Sequence, residues 1–177
     1  KRYNYPTHIG ITEAGPSLAG IVKSAVGIGS ILSEGIGDTI RVSVSEKPVE
    51  QIKIGWEILK ALKLRQNGVD IIACPTCGRT EIDLIGLAKQ VQNILSKVTA
   101  PISVAVMGCV VNGPGEASFA DIGICGGKKQ AAIFKKGKLI KTMGEERALP
   151  DFIAEVKKVL IEKGYKEQIK NIKIAKN

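Results

Sequence analysis

Residues 69–77 read VDIIACPTC and residues 102–109 read ISVAVMGC. Each is a short run rich in Val, Ile and Ala that ends on a cysteine, the pattern of a buried strand with a thiol at its carboxyl end. Sheets of the α/β class build their sites at that end. In Cys74-Pro75-Thr76-Cys77 two thiolates share one turn, and Cys109 can reach the same place from a neighbouring strand end. Glu116, in the Gly/Pro-punctuated string VMGCVVNGPGEA, adds a carboxylate. Cys74, Cys77, Cys109 and Glu116 therefore read as a metal-cofactor site, and the chemistry as that of the cofactor.

Working outward, the chain alternates strand and helix periods. His8 to Ile11 is a short apolar strand, and Gly15-Pro16 opens a helical stretch to about Ser33 that the Gly35-x-Gly37 pair ends. Thr39 to Val44 alternates at period two, and Pro48 starts a helix with Ile52, Trp56, Leu59 and Leu62 on one face. From Asp83 onward, Leu84, Leu87, Ala88, Val91, Ile94 and Leu95 follow helical spacing, and Pro101 restarts the chain as a strand. Beyond Glu116 the style changes to short strands at Asp121 to Ile124, Ala131 to Phe134 and Leu139 to Thr142, an antiparallel meander. Leu149 to Glu162 closes the fold as an amphipathic helix with Phe152, Val156, Val159 and Leu160 together. The class is α/β. Asn67-Gly68 is a turn signal, so residues 1–68 are expected to be the end of a larger domain and residues 69–177 a domain with its own mixed sheet.

Composition narrows the function classes. The 177 residues are 44% hydrophobic, enough for a globular core, and no apolar run approaches the roughly 20 residues that cross a bilayer. The expectation is a cytoplasmic protein with no membrane partner. Four cysteines in a chain of this length are not a secreted disulfide framework. The net charge of +9 is concentrated in Lys135, Lys136 and Lys138 and in the tail from Lys163 to Asn177, which reads as a solvated face. Aromatic residues are 4% of the chain and none interleaves the run at Lys135 to Lys138, so no nucleic-acid partner is expected.

The donor set discriminates between metals. Zinc favours four soft or nitrogen ligands, often from two Cys-x-x-Cys halves, and only one such half is present, with the single His8 far away. An iron-sulfur cluster accepts ligands from separate loops, and Gly78, Gly108, Gly113 and Gly115 let backbone approach its sulfides. Two fourth ligands stand open. Cys125 would complete an all-cysteine electron carrier or redox sensor of the ferredoxin kind, whereas Glu116 would put an exchangeable oxygen on one iron where substrate can bind. Cys125 also fits a small buried strand residue.

The strings HIGITEAG, KSAVGIGSILSEGIGDTIRVS, IIACPTCGRTEIDLIG and VAVMGCVVNGPGEA resemble the carboxyl-terminal part of the bacterial 4-hydroxy-3-methylbut-2-enyl diphosphate synthase family, iron-sulfur enzymes of the non-mevalonate isoprenoid pathway. The resemblance implies the last βα units of a TIM barrel over residues 1–68, followed by a sulfite-reductase-like α/β iron-sulfur domain. It implies a [4Fe-4S] cluster held by Cys74, Cys77, Cys109 and Glu116, with no ligand role for Cys125. The implied reaction is two-electron ring opening and dehydration of 2-C-methyl-D-erythritol 2,4-cyclodiphosphate, with flavodoxin or ferredoxin as electron donor and a homodimer as the working enzyme. By the same resemblance Glu13 is the acid, Arg41 and Ser43 bind the diphosphate and Asn112 faces the substrate. Plainer readings stand beside two of these, Glu13 as a carboxylate near a helix amino terminus and Asn112 as a turn residue, and His8 reads as a structural histidine. Most of the barrel lies outside these 177 residues, so this piece is expected to hold the cluster with little activity alone.

Overall fold

The computed structural model describes residues 4–110, 115 and 117–173, which fall into two compact units, Lys1–Asn67 and Gly68–Asn177. In the first, strand β1 (His8–Gly10) lies parallel to β2 (Thr39–Arg41), and each strand leads on to a helix, α1 (Ser17–Ser33) or α2 (Pro48–Ala61). Ala14, Ile28, Leu32, Val42, Val44 and Ile58 form its core. The strand expected over Thr39 to Val44 stops at Arg41. Its partner leaves the ladder at Thr12–Glu13, where Glu13 turns at φ 58°, and pairing resumes only at a bridge between Gly15 and Val44. Ser43 therefore lies beyond the strand rather than in it.

Of the face expected on α2, Leu59 and Leu62 pack against this core. Gly55 and Ile58 are buried while Ile52 is exposed. A Cβ placed at Gly55 would lie 3.6 Å from Ile40 and 3.7 Å from Val42, ordinary contact distances, so this line of the helix seats directly on β2 and the residue after it.

The second unit is a five-stranded mixed sheet, β3 (Asp70–Ala73), β4 (Ser103–Met107), β5 (Ile122–Gly127), β6 (Gln130–Lys135) and β7 (Lys138–Gly144), in that spatial order. The first three strands are parallel and the last three antiparallel, so β5 belongs to both the parallel layer and the meander. Helices α3 (Leu84–Leu95) and α4 (Ala148–Glu162) supply Leu84, Val91, Leu95, Phe152, Val156 and Leu160 to one core with Val104, Val106, Ile122, Ile124 and Ile133. Alternation sends Ala105, Met107, Cys125, Ala132 and Phe134 into a smaller cluster on the opposite face. Asp83 caps α3, its carboxylate accepting from the Gly86 N–H at 3.0 Å. The lysine-rich tail is anchored as well as solvated: Gln168 accepts from the Thr99 N–H, Asn171 donates to the Lys97 carbonyl and Ile172 is buried.

Two carboxylates tie these layers together. Burial alone would push the Asp121 carboxyl up, but the Lys163 ammonium at 2.6 Å and the Ser103 N–H and hydroxyl together outweigh it and hold it below its ordinary value. Asp151 is held down first by Lys141 at 2.7 Å, with Arg147 at 3.2 Å assisting. A carboxyl depressed in the folded state stabilises the fold above its unfolded pKa and loses that contribution as pH falls through the folded value. Urea unfolding is therefore expected to be nearly flat from pH 7 down to about pH 4 for these two groups and to weaken below it, and the double variant Asp121→Asn/Asp151→Asn to flatten the acid limb. An unchanged acid limb in the double variant would show that other groups set it.

Candidate metal centre

The thiols sit where β3 and β4 end. The parallel register runs Asp70–Ser103 through Ala73–Val106, so Cys74 follows the last residue of β3 and Gly108-Cys109 follows the last residue of β4 at the same edge of the sheet. Cys74 is half-buried, Cys77 exposed and Cys109 buried, and none of the three is in a disulfide. Cys125 stands one strand further along, in register with Met107 and Ala132, fully buried inside β5. Cys74 packs partly against the same small cluster.

Short contacts join the loops that carry the thiols. The Gly108 N–H donates to Cys74 Sγ at 3.3 Å, and the Glu81 N–H donates to the Gly108 carbonyl at 3.0 Å. The Cys77 turn is closed twice: the Thr80 N–H donates to the Cys77 carbonyl at 3.0 Å, and the Cys77 N–H donates to Thr80 Oγ1 at 3.1 Å. Ile82 lies over Gly126, so closely that a Cβ on Gly126 would collide with it. The Arg79 N–H bonded to the Cys77 thiol is the main influence holding it below the ordinary thiol value; burial opposes it, and the Arg79 guanidinium and Thr80 hydroxyl act in the same lowering direction. Cys77 is thus biased toward thiolate, the form that binds metal.

Among the described residues no three His, Cys, Asp or Glu side chains are gathered closely enough to hold a metal ion, and Glu116 and Asn112 lie outside the described residues. The donor set itself fits an iron-sulfur cluster: three soft thiols from two adjoining loops, a backbone N–H already aimed at one sulfur, and Gly78 and Gly115 with open space where a side chain would stand. Beside it, a groove of about 490 Å³ runs along β3 and α3, lined by Cys74, Pro75, Thr76, Ile85 and Lys89 among others.

In the first unit, Glu13 is exposed in the turn after β1. Arg41 ends β2 and its guanidinium donates to Thr12 Oγ1 at 2.9 Å, so the residue beside Glu13 holds the Arg41 fork. Ser43 is half-buried. His8 Nδ1 lies 2.7 Å from Thr39 Oγ1 across the β1–β2 pair, a structural bond between the strands. Thr80 and Thr12 carry no sequence signal of their own beyond lying next to singular residues, and only the fold reveals their contacts.

Residues 70–158 match the family described as GcpE protein C-terminal domain, and residues 1–56 match GcpE TIM-barrel domain. The chain belongs to the GcpE family. Its relatives in that family include proteins named 4-hydroxy-3-methylbut-2-en-1-yl diphosphate synthase (flavodoxin). The one from Lawsonia intracellularis is 56% identical over 163 residues, which is 92% of this chain and 45% of the relative. That from Geobacter sulfurreducens is 52% identical over the same share of this chain and 46% of its own length. That from Clostridium acetobutylicum is 56% identical over 156 residues, 88% of this chain and 45% of the relative. This GcpE chain spans about half the length of the curated relatives it matches. No helix among its described residues is long and apolar enough to cross a membrane.

Proposed function

We propose that this chain is the cluster-bearing carboxyl-terminal part of a 4-hydroxy-3-methylbut-2-enyl diphosphate synthase. The enzyme would be an oxidoreductase of non-mevalonate isoprenoid biosynthesis, opening 2-C-methyl-D-erythritol 2,4-cyclodiphosphate by two-electron reduction and dehydration. The observation that carries this reading is the 56% identity over 92% of the chain to a protein named for that activity. In it, residues 1–68 are the end of the TIM-barrel domain and residues 69–177 a sulfite-reductase-like cluster domain. Exposed apolar residues on α1, Leu18, Val22 and Val26, support the first assignment, because they form one stripe at helical spacing that a larger barrel would cover.

Cys74, Cys77, Cys109 and Glu116 would hold a [4Fe-4S] cluster. Bound there, it would supply electrons one at a time and a Lewis-acidic iron, chemistry that no side chain offers. Arg41, its fork oriented by Thr12, binds the diphosphate as a planar donor, and the Ser43 hydroxyl adds a donor. Glu13 gives the proton that lets the departing hydroxyl leave as water, and Asn112 orients the substrate. Cys125, buried within β5, has no ligand role. Flavodoxin or ferredoxin delivers the electrons, and the complete enzyme works in the cytoplasm as a homodimer.

Anaerobic reconstitution tests this directly. About four irons and four sulfides per chain are expected, with a broad visible band and an electron paramagnetic resonance signal on reduction, and Glu116→Ala is expected to perturb both. Stoichiometric zinc without sulfide, or a cluster indifferent to Glu116→Ala, would sink the proposal.

A further inference from the structure

Thr80 is half-buried and touches both loops that carry the thiols. Its Oγ1 accepts from the Cys77 N–H at 3.1 Å while its own N–H donates to the Cys77 carbonyl at 3.0 Å, so a single residue closes the Cys77 turn from both sides. Its methyl lies against Gly108, the residue before Cys109. A Cβ at Gly108 would stand 2.9 Å from Thr80 Cγ2, 3.2 Å from Thr80 Oγ1 and 3.2 Å from Leu84 Cδ2. Gly108 in turn donates its N–H to Cys74 Sγ and accepts from the Glu81 N–H, the residue after Thr80.

We infer that Thr80 is a positioning residue for the metal centre: its hydroxyl fixes the turn that presents Cys77, and its methyl sets the spacing between that turn and the Gly108-Cys109 exit of β4. The inference rests on the proposed ligand role of Cys77. Physically, a ligand on an exposed turn has many orientations, and each must be given up when a cluster binds. The hydroxyl bond and the Gly108 contact restrict them beforehand. A hydroxyl and a methyl on one carbon do both, whereas serine would lack the methyl contact and valine the hydroxyl bond. Groups that orient metal ligands commonly change metal affinity by about 10–100-fold when removed.

The test compares Thr80→Val, which keeps the branched shape but loses the hydroxyl, with Thr80→Ser, which keeps the hydroxyl. All are read in the reconstituted 177-residue chain, with Cys77→Ala alongside. Thr80→Val is expected to keep the wild-type urea midpoint yet release iron to a chelator about 10-fold more readily and to alter the resonance spectrum of the reduced cluster, while Thr80→Ser restores most of both. Should Thr80→Val lose its native circular dichroism, the same comparison is read between Thr80→Ser and Thr80→Ala. Wild-type iron retention and spectrum in Thr80→Val, which keeps the methyl and loses the hydroxyl, would overturn the inference. Full iron in Cys77→Ala would overturn the ligand reading and this inference with it; lost iron in Cys77→Ala beside a wild-type Thr80→Val would overturn this inference alone.

Discussion

Alanine at Cys74, Cys77 or Cys109, one substitution at a time, is expected to leave the anaerobically reconstituted chain with less than about a tenth of the wild-type iron, while alanine at Cys125 leaves it unchanged. The bound follows from a comparison of scale: residues that merely orient ligands already cost about 10-fold or more, so a lost thiolate costs at least as much. The contrast with Cys125 follows from position. Cys74, Cys77 and Cys109 stand on loops past the ends of β3 and β4, whereas Cys125 lies within β5 with Met107 and Ala132 as register neighbours and none of its surface exposed. Its sulfur fills a cluster of Ala105, Met107, Ala120, Ala132 and Phe134, and alanine there removes one atom from a packed face. Iron and sulfide assays on the four variants decide the matter. Iron lost in Cys125→Ala with native circular dichroism would instead favour an all-cysteine electron carrier.

Much of this arrangement is legible in the chain because local signals and tertiary packing agree. Asp83 sits one residue before the apolar period of α3 and caps it, and Phe152, Val156, Val159 and Leu160 recur at helical spacing and are buried together. Strand ends that carry cysteines are visible for the same reason: an apolar run stops and a Pro- or Gly-bearing turn begins. Disagreements arise where one residue answers to a distant partner. Ile52 looks like a core position by period, yet Gly55, one turn further on, is the position that lies against Ile40 and Val42, and Ile52 is left exposed. The strand through Ser43 breaks because Glu13, in a different segment, turns away. Lysines of the tail read as solvated, and the sequence does not show that Lys163 pairs with Asp121 or that Ile172 is buried. At the candidate centre the thiols are legible, but the bonds from Thr80 to Cys77 and from Gly108 to Cys74 are not, since hydrogen bonds of a loop leave no period behind.

Phe152→Ala is expected to have the largest effect on stability, about 3–5 kcal/mol by urea unfolding. Phe152 is the bulkiest of the fully buried side chains. It projects from the first half of α4 into the core shared with α3 and the sheet, and Ile153 and Val156, equally buried, leave little freedom for the gap to close. By comparison Ile72, on edge strand β3 and 36% exposed, is expected to lose under about 1 kcal/mol when cut to alanine, since most of its transfer energy is never gained. The pair also separates stability from chemistry. Among the described residues, none of the backbone or side-chain bonds that hold the Cys74, Cys77 and Gly108 loops comes from α4. Well below its unfolding midpoint, Phe152→Ala should therefore take up iron as the wild type does, although it unfolds in far less urea. A loss under 1 kcal/mol would mean that α4 does not close the core as described. Iron loss in folded Phe152→Ala would mean that the thiol loops depend on the helical layer, and that their own hydrogen bonds are too weak to hold them.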